Sequence, residues 1–369
     1  MYTFFLSVLL FYLPLLIFPF GVSPFESPKV VIAEVLLVLL LCIKILETKL
    51  TFSSLKSFIL SHKLLAITTL TFFVVIMMSL FQLNEHTLFG TSYRLQGIFL
   101  YVLLFSLLFI SGRTFLLSWK VILGLLVVQL LAAVFIVGRT DMRAIGTLGE
   151  PNALAANVLF LWPWILVADY KNVKYEWIVK AVVILISSGI IFLSYSRSGM
   201  LGLALQLAVF SLSRFISLKK TVIIAVLLLI CFHSIPFFDQ TSLYENRAHI
   251  WQTAFLTGQE HPFSGSGIGN LASSLGESIK SRGGYMKFIT VDSSHNLFLD
   301  WWVMGGILGV AIIGLTLWNS IKRYIDEGNI LFLILLFGIL TSMCFNPVSV
   351  VTLVHFWWIM GNRSEIKKA

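Results

Sequence analysis

The stretch VDSSHNLFLDWWVMGGILGVAIIGLTL, residues 291–317, begins polar and ends as nearly unbroken hydrocarbon. From Asn296 onward its only charge is Asp300, and the run 296–317 has the length an α-helix needs to cross about 30 Å of lipid. Working outward, the same pattern recurs along nearly the whole chain of 369 residues. The apolar runs cover residues 3–20, 30–46, 64–83, 95–111, 118–137, 152–169, 177–195, 199–215, 221–237, 296–317, 330–345 and 348–360, the last short enough to be re-entrant. With 58% hydrophobic residues, 12% charged and a mean hydropathy of +0.94, the chain lies outside the range of soluble domains. Alternating ten-residue strands are absent, which argues against an outer-membrane barrel. The expectation is an all-α, polytopic integral membrane protein of about twelve transmembrane helices.

The first run has no basic residues ahead of it and no small-residue cleavage site behind it, so it reads as a retained helix rather than a signal peptide. Cys42, Cys231 and Cys344 all fall inside apolar runs, where they read as packing residues and not as a disulfide framework or zinc site. One long connection, residues 238–295, separates spans nine and ten. It divides the chain into N-terminal helices (1–176), a core containing that loop (177–318) and C-terminal helices with a tail (319–369).

Basic residues set the orientation, because short translocated loops tend to lose them. With both termini in the cytoplasm, 17 of the 26 lysines and arginines lie inside and the long loop is extracytoplasmic. The two faces also differ in kind. The inner set holds 13 lysines and 4 arginines, and the outer set holds 3 lysines (Lys29, Lys280, Lys287) and 6 arginines (Arg94, Arg139, Arg143, Arg197, Arg247, Arg282). Lysine suits anionic lipid headgroups, whereas the guanidinium fork fits phosphate oxygens in pairs. The net charge of +9 therefore points to membrane lipids inside and a phosphorylated ligand outside, with nothing that suggests nucleic acid.

His295 stands where the loop re-enters the membrane. With Ser293 or Ser294 as cap it falls in the first turn of the helix, where the positive helix end favours a neutral, proton-accepting imidazole and attracts anions. Asn296 lies beside it. Upstream, Ser242 and Glu245 form a capping-box pattern ahead of Ile250, Trp251, Ala254 and Phe255, an amphipathic helix expected to lie on the outer leaflet with Arg247 bordering its apolar face. HPFSGSGIGN, residues 261–270, is a glycine-rich turn whose amides, at Gly265 and Gly267, could cradle an anion. It lacks the Lys-Ser/Thr of a phosphate loop. Arg197 sits on a tight connection in SYSRSGM, Arg143 and Asn152 flank GTLGEP, and Arg94 lies in FGTSYRLQG. No HExxH, DxD or serine-nucleophile elbow is present, so the pattern calls for no metal and no cofactor. A secondary transporter of an anionic solute is the rival class, with Glu34 and His355 as its mid-span candidates.

Five segments in order, FGTSYRLQG, GTLGEPNALAAN, SYSRSGMLGL, ENRAHIWQTAFLTGQEHPFSGSGIGN and SSHNLFLDWWVMGGILG, resemble the bacterial O-antigen ligases and their relatives among O-antigen polymerases and protein O-oligosaccharyltransferases. The likeness runs from about Leu88 to Gly309. It implies metal-independent transfer of a glycan from undecaprenyl pyrophosphate to an acceptor hydroxyl at the outer face of the bacterial cytoplasmic membrane, in lipopolysaccharide or other envelope polysaccharide synthesis. By position, His295 matches the general base of that family, and Arg197 and Arg247 match the arginines that hold pyrophosphate. Arg94, Arg143, Asn152, Gly265, Gly267 and Asn296 are the remaining candidates for donor binding. Met304 departs from the acidic residue many relatives carry there, and Asp300, one turn earlier, is the available substitute.

Overall fold

The computed structural model describes residues 1–18, 22–47, 62–110, 118–138, 142–168, 170, 173–238, 247–281 and 291–362. Among these residues the regular structure is helical, apart from one isolated bridge between Val137 and Ala144. Twelve helices fall on the twelve apolar runs: α1 (Tyr2–Leu15), α2 (Ser27–Glu47), α3 (Lys63–Phe81), α4 (Ile98–Ile110), α5 (Trp119–Phe135), α6 (Pro151–Leu166), α7 (Glu176–Leu193), α8 (Arg197–Leu212), α9 (Leu218–Phe238), α12 (Leu297–Asp326), α13 (Ile330–Met343) and α14 (Val350–Gly361). The long connection contributes two more, α10 (Arg247–Glu260) and α11 (Leu271–Ser281).

Among the described residues three helices, α3, α7 and α12, are long and apolar enough by length and composition to cross a membrane. Those of low internal burial present apolar side chains outward, with Leu70, Phe73, Leu185 and Phe192 all exposed. Such a surface is costly in water and natural in lipid. Cys344 is buried, whereas Cys42 and Cys231 lie on the outside of the bundle, so only the first of the three is a packing residue. At the centre are α13 and α14. Every residue from Leu331 to Met343 and from Val350 to Gly361 is buried, which is the environment that a helix apolar on all sides requires.

Two helices change pitch at proline. α1 passes through a π turn at Val8–Tyr12 into a 3-10 turn containing Pro14, and α6 tightens to 3-10 at Trp162–Leu166 around Pro163. Polar side chains join helices in the interior: Gln206 of α8 donates to the carbonyls of Leu159 (2.8 Å) and Ile334 (3.0 Å) and accepts from Trp162 Nε1 (2.6 Å).

The largest irregularity is in α12. Gly306 has φ 58° and ψ −147°, a conformation open only to glycine, and it divides the helix in two. The turn 262–267 fills the gap. Ser266 N–H donates to Val303 O (2.8 Å), Gly267 N–H to Met304 O (3.0 Å), and Ile307 N–H to Pro262 O (2.8 Å). The backbone groups that the break releases are thus satisfied from another segment, which is the condition for irregular backbone inside a helix bundle.

The helix expected on the outer leaflet is α10, and most of its apolar face is buried. Ile250, Trp251, Ala254, Thr257 and Gly258 are buried, and Gly258 lies so close to the Trp302 ring that an added Cβ would come within 2.2 Å of it. Trp302 Nε1 donates to Phe255 O at 2.9 Å. α10 therefore packs on α12 with Ile250, Trp251 and Ala254 buried, while Phe255 of the same apolar face stays exposed. The capping pair Ser242 and Glu245 lies outside the described residues, as do Arg139, Arg282 and Lys287.

Candidate active site

Antiparallel packing carries the connections α1–α2, α3–α4, α5–α6, α7–α8, α9–α12 and α13–α14 to one end of the bundle. Arg94, Arg143, Arg197, Arg247 and His295 all lie at that end. What joins them is a connection that the sequence reading passed over, CFNPVSV at residues 344–350, between the two buried helices.

Arg247 opens α10 and reaches this turn with both terminal nitrogens: Nη1 donates to Phe345 O and Nη2 to Asn346 Oδ1 (3.2 Å). Asn346 Nδ2 donates to Ser198 Oγ (2.5 Å) and to Ser342 O (3.0 Å). Ser198 lies 3.1 Å, oxygen to oxygen, from Ser196, which caps α8 by accepting from Gly199 N–H and donates its own proton to Asn152 Oδ1 (2.8 Å). Asn152 also accepts from Arg143 Nη2 (3.5 Å), and Arg143 donates further to Ser194 O (2.9 Å) and Tyr195 O (3.4 Å). Arg197, the first residue of α8, is exposed beside this chain of contacts.

The same turn receives the other two segments. Asn296 Nδ2 donates to Cys344 O (3.3 Å), while Arg94 Nη1 (3.4 Å) and Gln96 Nε2 (2.8 Å) both donate to Val348 O. Arg94 also makes an ion pair with Asp292, at 2.7 Å from Nε. Burial opposes the Arg94 charge, but Asp292, Glu150 and Glu26 outweigh it and hold the guanidinium protonated. Glu26, buried between α1 and α2, accepts Val350 N–H at 2.7 Å and so caps α14 from a distance. Burial pushes its carboxyl up to about 7 against the opposing pull of Arg94, the Val350 bond and Lys29. A small open cleft lies beside these groups, lined by Thr91, Arg94, Gln96, Tyr101, Asp292 and Met304 among others.

His295 is not in the first helical turn. Asn296 is the cap of α12, accepting from Phe298 N–H (3.0 Å) and Leu299 N–H (3.3 Å), and His295 precedes it with φ +59°. A left-handed conformation is uncommon for a side-chain-bearing residue and must be imposed by its surroundings. Asp300 supplies them. Its carboxylate accepts from Ser294 N–H (2.7 Å), Ser294 Oγ (2.6 Å) and Ser293 Oγ (3.0 Å), and Ser293 Oγ in turn accepts His295 N–H (3.0 Å). The serines expected to cap the helix are instead tied to an acid one turn inside it. Asp300 thus fixes the segment that presents His295, while the position of the missing acid, Met304, is buried.

The glycine-rich turn does not present an anion cradle. Gly265 N–H is donated to His261 O (2.8 Å), and the amides of Ser266 and Gly267 are used on α12. Gly265 is needed for close approach, since a Cβ there would lie 2.3 Å from the Met304 carbonyl carbon. The transporter candidates do not form a mid-membrane pair either. His355 Nε2 meets Leu10 O at 2.9 Å and its ring stacks on Phe160 at 3.6 Å, which is packing. Among the described residues no group of three or more His, Cys, Asp or Glu could hold a metal.

No curated protein matches this chain. Residues 182–314, from within α7 through the break in α12, match the family model described as O-antigen ligase.

Proposed function

We propose that the protein transfers a glycan from an undecaprenyl-pyrophosphate carrier to an acceptor hydroxyl, at the outer face of the bacterial cytoplasmic membrane, within a twelve-span topology that keeps both termini inside. The observation that carries this reading is the hydrogen-bonded network just described. It links the segments bearing Arg94, Arg143, Arg247, His295 and the start of α8, where Arg197 stands, at one end of the bundle.

Little nucleotide is available outside that membrane, so a transferase there needs a donor activated beforehand. A lipid pyrophosphate is such a donor. The acceptor oxygen forms a bond to the anomeric carbon, the bond from that carbon to the pyrophosphate oxygen breaks, and the electron pair leaves with the pyrophosphate. Fixed guanidinium groups stabilise the charge that develops there, and they do so best where water is scarce. Arg197 and Arg247 are assigned to the pyrophosphate, with Arg94, Arg143, Asn152 and Asn296 holding the surrounding geometry. The acceptor proton passes to His295, whose position before the α12 cap is set through Ser293 by Asp300. These steps require no metal or cofactor.

The test begins by deleting the gene in its host and extracting the lipid-linked glycan that accumulates. Purified protein should transfer that glycan, and His295→Ala should abolish transfer while remaining folded and inserted. Failure of any lipid-linked glycan to accumulate, or near-parental transfer by the His295 variant, would remove this assignment.

A further inference from the structure

The donor role proposed for Arg247 raises the question of what aims it. We propose that Asn346, outside the family match, is the positioning residue that fixes the Arg247 guanidinium against the start of α8. The inference rests on the reading of Arg247 as a donor-binding group.

Asn346 is 1% exposed and each end of its amide has a different task. Its oxygen accepts from Arg247 Nη2, and its NH2 donates to Ser198 Oγ and Ser342 O. The amide can adopt only this orientation, because a flip would turn N–H donors toward a guanidinium that has donors alone and would set the oxygen against the Ser342 carbonyl. The backbone around it is equally constrained. Pro347 fixes the following φ and disfavours helix at Asn346 itself, while Phe345 O takes the other nitrogen of Arg247. Arg247 therefore binds one turn through two points, a planar fork on a carbonyl and an amide oxygen, and Asn346 relays that position to Ser198 and the α8 cap Ser196. Arginine keeps its charge without Asn346 but loses its fixed place, and a donor displaced by an ångström stabilises a leaving group poorly.

A double-mutant cycle separates this role from a general contribution to the fold. Asn346→Ala, Asn346→Asp, Arg247→Ala and each pair would be purified in one detergent, normalised to folded protein, and assayed for transfer from the extracted lipid-linked glycan. Asn346→Asp keeps the size of the side chain, but it loses the NH2 donor and adds a negative charge beside Arg247. We expect each Asn346 variant to lower turnover about tenfold or more in the parental background, and to lower it by less than twofold once Arg247 is alanine. A loss that multiplies with that of Arg247→Ala, or parental turnover by the Asn346 variants, would overturn the inference alone. Parental turnover by Arg247→Ala itself would remove the donor reading of Arg247 and this inference with it. Failure of both Asn346 variants to fold would assign the residue to the fold and would also overturn it.

Discussion

Gly306→Ala should detach the turn 262–267 from α12. At φ 58° and ψ −147° the backbone of residue 306 is open to glycine alone, and forcing a side chain into such a region costs about 1–3 kcal/mol. The new Cβ would also lie 2.5 Å from Pro262 O and 2.8 Å from the Phe263 carbonyl carbon, so the turn has to move. Moving it breaks the bonds from Ser266 to Val303, Gly267 to Met304 and Ile307 to Pro262, each worth a net of about 1 kcal/mol. The combined loss is roughly 4–6 kcal/mol if α12 stays broken. If α12 straightens instead, the carbonyls of Val303 and Met304 regain helical donors, and the amides of Ser266 and Gly267 are released without partners. Both routes expose the same amides. Hydrogen exchange measured by mass spectrometry in detergent should therefore show residues 262–268 exchanging about a hundredfold faster or more. Gly314→Ala is the control, because a Cβ there meets nothing within 4 Å and alanine is the better helix former. A Gly306→Ala protein with parental protection over this turn and an unchanged melting temperature would refute the argument that the glycine holds the break open.

Replacing Arg197 or Arg247 with lysine should slow transfer about tenfold to a hundredfold, nearly as much as alanine, because an ammonium keeps the charge but loses the planar fork, which at Arg247 also grips Phe345 O and Asn346; near-parental rates would leave both residues with no more than a headgroup-anchoring role. The raised Glu26 carboxyl means that the folded protein binds this proton more tightly than the unfolded chain. Its stabilisation is therefore present below about pH 4.5 and lost as pH rises to about 7, roughly 3 kcal/mol in all. Glu26→Gln, which keeps an acceptor for Val350 N–H, should show a flatter melting temperature across that window; an unchanged pH dependence would place the titration elsewhere. Lys280→Cys, at the exposed end of α11, should react with an impermeant thiol reagent in intact cells whose outer barrier has been opened, and labelling only after lysis would invert the proposed topology.

The helices were legible because a membrane leaves few choices. A run such as 296–317 is apolar for the length of a span, and α12 begins within a residue of where that run begins. The arginines were conspicuous for a related reason, since on a chain with 12% charged residues each guanidinium between two apolar runs stands out. Their partners were not. Arg247, Arg94 and Asn296 all bind the carbonyls of residues 344–348, and a backbone acceptor has the same chemistry at every position and leaves no mark in the sequence. Asn-Pro between two short apolar runs was the available signal, and it reads equally well as a simple helix stop. The break at Gly306 was hidden because a glycine pair in an apolar run is usually tolerated in a helix; what decides it is Pro262, on a different segment. The cap of α12 was misplaced by two or three residues because Ser293 and Ser294 are good caps by type, yet Asp300 claims both.

Two of the arginines do something at this end of the bundle that bears on its charge. An antiparallel bundle brings helix starts and helix ends to the same face, and their partial charges should largely cancel. Two of the ends are covered by arginine. Arg143 donates to Ser194 O and Tyr195 O just beyond the last turn of α7, and Arg247 donates to Phe345 O just beyond that of α13, where Asn296 takes Cys344 O as well. The starts of α8 and α12 are capped by Ser196 and Asn296, neutral side chains that satisfy one or two amides without adding negative charge. Three acids stand near helix starts at this end: Glu150 at the cap position of α6, Asp300 in the first turn of α12, and Glu26, which accepts Val350 N–H and whose carboxyl burial pushes up to about 7, so that near neutral pH it holds much of its proton. The negative ends of α7 and α13 are thus met by guanidinium groups, while the positive start of α8, where Arg197 stands, carries no acid. That local imbalance favours an anion beside Arg197, and the pyrophosphate of the proposed donor, gaining charge as its sugar departs, would be stabilised most where such an imbalance is fixed before the reaction begins.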